Sequence, residues 1–127
     1  MKYIIDTHTL VWYFTKDKRL GGKAKSILRS AEQDNIEIII PIIVLLEALD
    51  IQEKKKIHFK IENFLDFIDQ KDNFSIAELN FLLFKEMIKI GKGLDLHDRI
   101  IIAASKMFQA VILTKDAEIK KLAKTIW

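Results

Sequence analysis

The sequence predicts an α/β protein in which a central, mostly parallel sheet is covered by helices on both faces, a three-layer α/β/α arrangement. First, short apolar segments with strand character alternate with segments of helical periodicity along the chain. Second, the strand segments, such as residues 3–5 and 111–113, are apolar without alternation, which is typical of strands buried between two helical layers. Third, only 4 Gly and 1 Pro interrupt a chain that is 50% hydrophobic, which predicts ordered structure.

The first elements follow from apolar runs and capping residues. Residues 2–6 are predicted as a short buried strand, because three apolar side chains follow one another. Thr7 is a suitable cap for the next helix, which carries apolar residues up to Phe14. A second helix is predicted over residues 22–34, where apolar side chains return with helical spacing.

The middle of the chain contains a strand followed by two predicted helices. Residues 37–40 are short and β-branched, which favours a strand. Pro41 suits the first turn of a helix over residues 42–55, because its fixed φ is already helical. Helical spacing of apolar residues continues over residues 57–70.

The last part repeats the alternation. Strands are predicted at residues 74–76 and 110–114. Helices are predicted over residues 78–90, 98–108 and 117–124, the first of them ending at a Gly-Lys-Gly sequence.

Size and composition exclude several classes of protein. A chain of 127 residues has the length of one domain, so we expect residues 1–127 to form a single unit. There is no Cys, which excludes disulfides, thiolate metal sites and a cysteine nucleophile. Asp6 precedes any signal-peptide core, and the longest apolar run, residues 38–46, is too short to span a membrane, so a cytoplasmic protein is expected. The net charge of +3 is only a weak nucleic-acid signal.

Acidic residues follow the predicted strands or begin a predicted helix. Asp6 ends the first strand and Asp116 follows the last long one. Asp95 and Asp98 lie three residues apart at the start of an apolar helix, where they share a face if the helix begins early enough. In parallel α/β sheets, ligands bind at the carboxyl ends of the strands. This placement predicts a site at that edge.

Glu47 is the least expected acid, because it lies inside an otherwise apolar helical stretch. A lone charge there is costly unless it is paired or bound to a metal. Each acid also has a structural alternative. Asp6 and Asp116 can be helix caps, Asp95 and Asp98 can be a charge pair favoured by the helix dipole, and Glu47 can reach solvent or pair with a Lys. A carboxylate cluster, in contrast, suits a hard cation such as Mg²⁺.

These acids lie in segments that resemble the motifs of PIN domains, particularly the VapC-type toxins of toxin–antitoxin pairs. Residues 6–13 (DTHTLVWY) resemble the opening motif of the family, and residues 41–48 (PIIVLLEA) resemble its second. Residues 94–104 (LDLHDRIIIAA) resemble the third motif, commonly Asp-Pro-Phe-Asp-Arg, and residues 111–116 (VILTKD) the fourth. The motifs occur in family order across the chain.

The resemblance implies a PIN-like fold and a metal site with catalytic acids. The acids that it implies as metal-binding and catalytic are Asp6, Glu47, Asp98 and Asp116. Asp95 matches a secondary site residue. Leu96 and His97 replace Pro-Phe, which leaves the role of His97 open. Arg99 matches the family Arg, either near a carboxylate or phosphate or in a structural salt bridge. Thr7 and Thr114 are candidates for supporting hydroxyls.

The function that the resemblance implies is that of an endoribonuclease that uses Mg²⁺ or Mn²⁺ to hydrolyse RNA, the toxin partner of a VapB-like antitoxin. A homodimer is also implied, and its interface is predicted to use Trp12, Phe14, Leu45 and Leu49. Most aromatic residues, including Phe81 and Phe84, are predicted to be core or interface. Two alternatives stay open. One is a phosphoryl-transfer or receiver-like protein, which would not explain Glu47, and the other is a non-catalytic PIN-like binding module.

Overall fold

The computed structural model describes residues 1–33, 35–54 and 58–127. The strands are β1 (Lys2–Ile5), β2 (Glu37–Pro41), β3 (Phe74–Ala77), β4 (Val111–Leu113) and β5 (Thr125–Ile126). The helices are α1 (Thr7–Phe14), α2 (Gly22–Ala31), α3 (Ile42–Lys54), α4 (Ile61–Asp69), α5 (Phe81–Ile90), α6 (Leu96–Phe108) and α7 (Ala117–Lys120). The strands form one parallel sheet in the order β3-β2-β1-β4-β5, which confirms the predicted fold class.

The sheet is wound in two directions from its centre. From β1 the chain moves outward to β2 and then β3, returns across the sheet to β4 and continues to β5. Right-handed crossovers therefore place α1 to α4 on one face and α5 to α7 on the other. In agreement, α1 packs against α3, and α5 packs against α6. The direction of winding reverses between β1 and β4, and this is where open α/β sheets bind ligands.

The core consists of β-branched residues of the central strands and the inner face of α6. Ile4 on β1 is paired in register with Ile39 on β2 and with Ile112 on β4, and all three are at most 1% exposed. The long helix α6 packs against β1, β2 and β4 through the buried run from Ile100 to Ala104. This packing fixes the start of α6 relative to the carboxyl end of β1. In the part of the chain that the structure describes, no helix is long and apolar enough to cross a membrane.

Side-chain caps set the starts of α1, α5 and α6. Asp6, not Thr7, caps α1, because its carboxylate accepts a hydrogen bond from the backbone N–H of Thr9. Asn80 caps α5, which therefore begins at Phe81 rather than at residue 78. Asp95 caps α6, which begins at Leu96, earlier than predicted. The predicted cap at Thr7 was wrong because Asp6 offers its carboxylate one residue sooner.

Other boundaries differ by a few residues. Helix α2 ends at Ala31, before its predicted end at residue 34, and α4 begins at Ile61, after its predicted start at residue 57. Residue 34, residue 57 and the predicted end of α3 at residue 55 lie outside the described residues. Pro41 ends β2, where it pairs with Ala77, and the helix starts one residue later. Helix α7 ends at Lys120, because the chain then turns to pair Thr125 with Ile112 of β4. The two-residue strand β5 was not predicted.

The predicted dimer surface is largely part of the core. Trp12 is 6% exposed, and Phe14 packs edge-on against Phe64 and Phe67. Leu45 is half-buried, and Leu49, at 37% exposed, is the only one of the four side chains that is exposed. Trp12 and Phe14 therefore do not offer the free apolar surface that the interface prediction assumed, because Trp12 packs against Trp127 and Phe14 packs against α4. Exposed apolar side chains instead concentrate on and just before α5: Leu79, Phe81, Leu82, Phe84 and Ile88.

Candidate active site

The acidic residues surround the point where the winding of the sheet reverses. Asp6 directly follows β1, and Asp116 lies just beyond the neighbouring strand β4. Glu47 projects from the middle of α3, and Asp98 lies in the first turn of α6. The sequence predicted this convergence from the order of the motifs.

The pKa of Asp98 reflects both its burial and the charges of the other four acids. Burial raises it first, and the negative charges of Asp95, Asp116, Asp6 and Glu47 raise it further, from 3.8 to about 6. Like charges disfavour the ionised form because they repel it. All five predicted acids therefore contribute to one negatively charged region.

Asp6 is held by two threonine hydroxyls. Its Oδ1 accepts from the backbone N–H of Thr9 at 2.9 Å and lies 2.6 Å from the Thr9 hydroxyl, and its Oδ2 accepts from the Thr114 hydroxyl. The Thr9 hydroxyl also lies 2.7 Å from the carbonyl oxygen of Leu113 on β4, so its single proton serves one acceptor at a time. Thr9 and Thr114 are both buried. They fix the orientation of Asp6 and join the ends of β1 and β4.

Three of the acids are helix caps as well as members of the cluster. Besides Asp6, the carboxylate of Asp95 accepts from the backbone N–H of Asp98 at 2.9 Å. Asp116 accepts from the backbone N–H groups of Glu118 and Ile119. The structure thus shows the capping role for these residues, and their role in a metal site stays a prediction. Capping positions each carboxylate and offsets part of the mutual repulsion, because helix N-termini favour negative charge.

Glu47 is held by two side chains at once. Its Oε1 accepts from the Thr7 hydroxyl at 2.7 Å, and its Oε2 lies 2.8 Å from Nδ1 of His97. The Glu47 side chain is 29% exposed, so it is paired rather than stranded among apolar neighbours. Thr7 is thus a supporting hydroxyl, as predicted. The contact with His97 was not predicted, although the position of His97 directly before Asp98 was the available signal.

Arg99 has a structural contact. Its Nη2 donates to the carbonyl oxygen of Met87 at 3.1 Å, which joins the start of α6 to α5. Its Nε is buried, and within the described residues it has no hydrogen-bond partner. The predicted alternatives for Arg99 included contact with a site carboxylate and a structural salt bridge. In the described part of the chain, Arg99 forms neither. His8 is exposed and lies against the ring of Trp12, with ring centroids 5.3 Å apart.

The donor chemistry of the cluster fits a hard divalent cation. Carboxylate oxygens are the ligands that Mg²⁺ and Mn²⁺ prefer, and Asp6, Glu47, Asp98 and Asp116 provide them from four separate elements. In the described ranges, no three candidate ligand side chains lie close enough together to hold an ion in their present orientations. The oxygens of Asp6 and Glu47 contact hydroxyl and imidazole groups instead. Binding an ion therefore requires some of these side chains to turn away from those partners.

Together, these features define an α/β protein with an acidic site at the reversal point of a parallel sheet. The profile of the PIN domain family matches residues 3–125, so the chain belongs to the PIN domain family. Proteins of this family are generally nucleases. No curated protein matches the sequence.

Solved structures with the same fold include several toxin–antitoxin complexes. A chain of VapBC2 from Rickettsia felis, bound to a DNA fragment from the promoter, has a TM-score of 0.67 and 19% identity, with 99% of this chain and 96% of that chain covered. A chain of FitAcB from Neisseria gonorrhoeae has a TM-score of 0.65 and 16% identity, with coverage of 98% and 96%. A toxin–antitoxin complex from Klebsiella pneumoniae gives 0.62 and 19%, with coverage of 91% and 88%. At these identities, the likeness establishes the shared fold.

Proposed function

We propose that this protein is a metal-dependent endoribonuclease that hydrolyses RNA phosphodiester bonds and acts as the toxin of a VapBC-type pair in the cytoplasm. The observation that carries the proposal is the partly buried carboxyl of Asp98 surrounded by four other acids; burial, and then their negative charges, raise its pKa to about 6. A fold without a need for such a cluster would gain from neutralising or separating these charges. Membership of a family of nucleases and the fold shared with toxin–antitoxin complexes support the same conclusion.

In this proposal, Asp6, Glu47, Asp98 and Asp116 hold Mg²⁺ or Mn²⁺, with Asp95 in a secondary position. A bound ion would polarise the scissile phosphate and neutralise its charge. The chain's own residues orient the site. Thr9 and Thr114 fix Asp6, and Thr7 fixes Glu47.

Hydrolysis places the hydroxyl of a water on phosphorus and delivers a proton to the leaving oxygen. A bound ion would lower the pKa of a water in the site, so that hydroxide becomes available for the attack near neutral pH. No protein nucleophile is required.

The direct test is RNA cleavage by purified protein. Fluorescent RNA should be cut with Mg²⁺ or Mn²⁺ and left intact with EDTA, and Asp98→Asn should lower the rate by at least about 100-fold, because it removes a carboxylate from the proposed metal site. Asp72→Asn is the matched control, because Asp72 is an exposed acid in the turn before β3, at the opposite edge of the sheet. Metal-independent cleavage that survives Asp98→Asn would defeat the mechanism. Binding of RNA without any cleavage would instead favour the non-catalytic PIN-like module.

An antitoxin would need a surface beside these acids. A groove of about 450 Å³ lies next to Glu47, and its wall includes the apolar side chains of Ile43, Leu46 and Ile51. An amphipathic segment fits such a groove and can direct a basic residue at the carboxylates. Co-expression with the adjacent small open reading frame should suppress cleavage and co-purify the two proteins. Leu46→Glu, on the exposed part of the groove, should break the complex without reducing cleavage.

A homodimer would use the exposed face of α5. Phe81 is 69% exposed and stacks on Phe84 with ring centroids 6.3 Å apart, and Ile88 continues the same face one turn later. Exposed apolar patches of this kind mark interaction surfaces. A face of one helix can meet its own copy across a two-fold axis, which is the geometry of most homodimers.

A further inference from the structure

A second cleft, with basic walls, lies directly beside the acidic cluster. It has a volume of about 370 Å³ and is formed by the start of α2, the segment after β4, α7 and β5. Lys23, Lys115 and Lys120 line it together with Thr114 and Trp127. None of these side chains was singled out by its charge in the sequence, because the three lysines come from three separate segments.

The three lysines carry charge that the fold does not neutralise. Among the described residues, Lys54, Lys89 and Lys121 each pair with a nearby carboxylate. Lys23 and Lys120 are exposed and take part in no such pair in the same part of the chain. The cleft therefore concentrates positive charge next to a region of concentrated negative charge.

Lys115 is held in place by an aromatic ring. Its Nζ lies 4.8 Å from the centre of the Trp12 ring, within the range of a cation–π contact. Trp12 is itself buried, and the ring of Trp127 packs against it edge-on at 5.9 Å. The ammonium group of Lys115 is thus oriented before any ligand arrives.

The basic cleft and the acidic cluster share a wall. The hydroxyl of Thr114, which lines the cleft, donates to Oδ2 of Asp6. Lys115 lies between Thr114 and Asp116 in the chain, so the basic side chain is flanked by residues of the acidic site. A strand that occupies the cleft therefore lies next to the carboxylates at Thr114.

The cleft also offers an aromatic surface. Trp127 is partly exposed and forms part of the wall beside the lysines. Proteins that hold single-stranded nucleic acids combine basic grooves that follow the backbone with aromatic rings on which bases stack. An acidic peptide would use the lysines and leave the indole without a specific partner.

We propose that this basic cleft binds the sugar–phosphate backbone of single-stranded RNA to one side of the scissile bond, with a base stacked on Trp127. The proposal rests on the proposed function and names the path of the substrate into that site. Lys23, Lys115 and Lys120 contact phosphates of the strand. The cluster of acids, which repels RNA by itself, thereby receives a substrate that is held by the neighbouring positive charge.

The test measures the binding of a fluorescein-labelled 12-nucleotide oligouridylate by fluorescence anisotropy. EDTA is present so that no cleavage occurs. Single variants Lys23→Gln, Lys115→Gln and Lys120→Gln should each weaken binding, and the triple variant should raise Kd at least tenfold at low salt. Each phosphate contact that is lost lowers the slope of log Kd against log salt by about 0.7, so the triple variant should lose about 2. Circular dichroism verifies that each variant is folded. If the triple variant does not fold, the three single variants provide the test.

The matched control is the triple variant Lys2→Gln, Lys89→Gln and Lys106→Gln, which removes the same charge from exposed positions outside the cleft. It should change Kd less than threefold. An unchanged Kd and salt slope in the cleft variants, or an equal loss in the control, would overturn the proposal. So would a labelled polyglutamate peptide whose binding needs the three lysines while RNA binding does not, since that result assigns the cleft to an acidic protein segment.

This experiment separates the two proposals. If wild-type protein never cleaves RNA but the cleft lysines control RNA binding, the nuclease proposal fails and the cleft stands. If cleavage is metal-dependent and the lysines have no effect on binding or on KM, the cleft fails and the nuclease proposal stands.

Discussion

Replacing Asp98 by Asn should stabilise the protein in the absence of metal, even though it removes a proposed catalytic group. The carboxyl of Asp98 is partly buried and faces the charges of Asp95, Asp116, Asp6 and Glu47, which is why its pKa rises from 3.8 to about 6. A shift of this size corresponds to about 3 kcal/mol of unfavourable free energy in the charged form. Because the group is partly exposed, solvent screens much of that energy, and we expect a gain of about 1 kcal/mol.

Asp98 also lies in the first turn of α6, where the helix dipole favours a negative charge by about 0.5 kcal/mol, and this contribution is lost in the variant. The net gain of about 0.5 kcal/mol corresponds to a rise in Tm of about 2 °C for a chain of this size. Thermal unfolding in EDTA at pH 7.5, followed by circular dichroism, measures it. Asp72→Asn is the matched control, because Asp72 is an exposed acid whose charge does not act on Asp98.

The pH dependence of stability tests independently whether the charge of Asp98 destabilises the folded protein. The pKa of Asp98 in the folded protein is above its ordinary value of 3.8, so the folded state binds more protons between about pH 4 and pH 6. The contribution of Asp98 to stability therefore falls as the pH rises through this window. The difference in Tm between Asp98→Asn and wild type should be near zero below pH 4 and reach its full size above pH 6.

A lower Tm for Asp98→Asn at pH 7.5, with no change in the difference between pH 4 and pH 7, would refute the reasoning. It would mean that Asp98 acts only as a favourable helix-terminal charge and that the acids are too far apart to interact.

Further predictions concern the metal, the packing and the assembly. Mn²⁺ at 100 times its Kd should raise the free energy of unfolding of wild type by about 2.7 kcal/mol, and the Tm with it. The rise should be much smaller in Asp98→Asn, and a wild-type Tm that does not respond to Mn²⁺ contradicts the metal site. Gly21→Ala should destabilise by about 1–3 kcal/mol, because the new Cβ would lie 2.5 Å from the backbone carbon of Trp127, whereas Gly22→Ala, with open space around it, should be neutral or stabilising in urea titrations. Phe84→Glu should shift the protein from dimer to monomer in light scattering without lowering Tm, and an unchanged mass excludes α5 as the interface.

The first four strands and the order of the acids were predictable because both depend on local signals. Runs such as Ile38 to Ile40 are apolar on both faces only when helices cover both sides of a sheet. Once a parallel sheet is inferred, the ends of its strands meet at one edge, so Asp6 and Asp116 had to approach each other.

The contacts within the site were not predictable, because they depend on the crossing of helices far apart in sequence. Glu47 contacts Thr7 from α1 and His97 from α6, and neither pairing has a local signature. The exposure of single aromatic rings was unpredictable for a related reason. Trp12 and Phe81 both lie in apolar helical segments, but Trp12 is covered by the distant Trp127 whereas Phe81 lies on the open face of α5.

The double use of Asp6, Asp95 and Asp116 as caps and as site acids has a genetic consequence. A single G-to-A change in the first position of an Asp codon gives Asn, which still accepts the backbone hydrogen bonds of the helix start. One transition mutation therefore removes a site charge and leaves a full-length, folded protein. Under the proposed function, a cell escapes such a toxin most easily by point mutation at these codons. Inactive copies of the gene should then persist as intact reading frames that still bind the antitoxin, rather than as truncations.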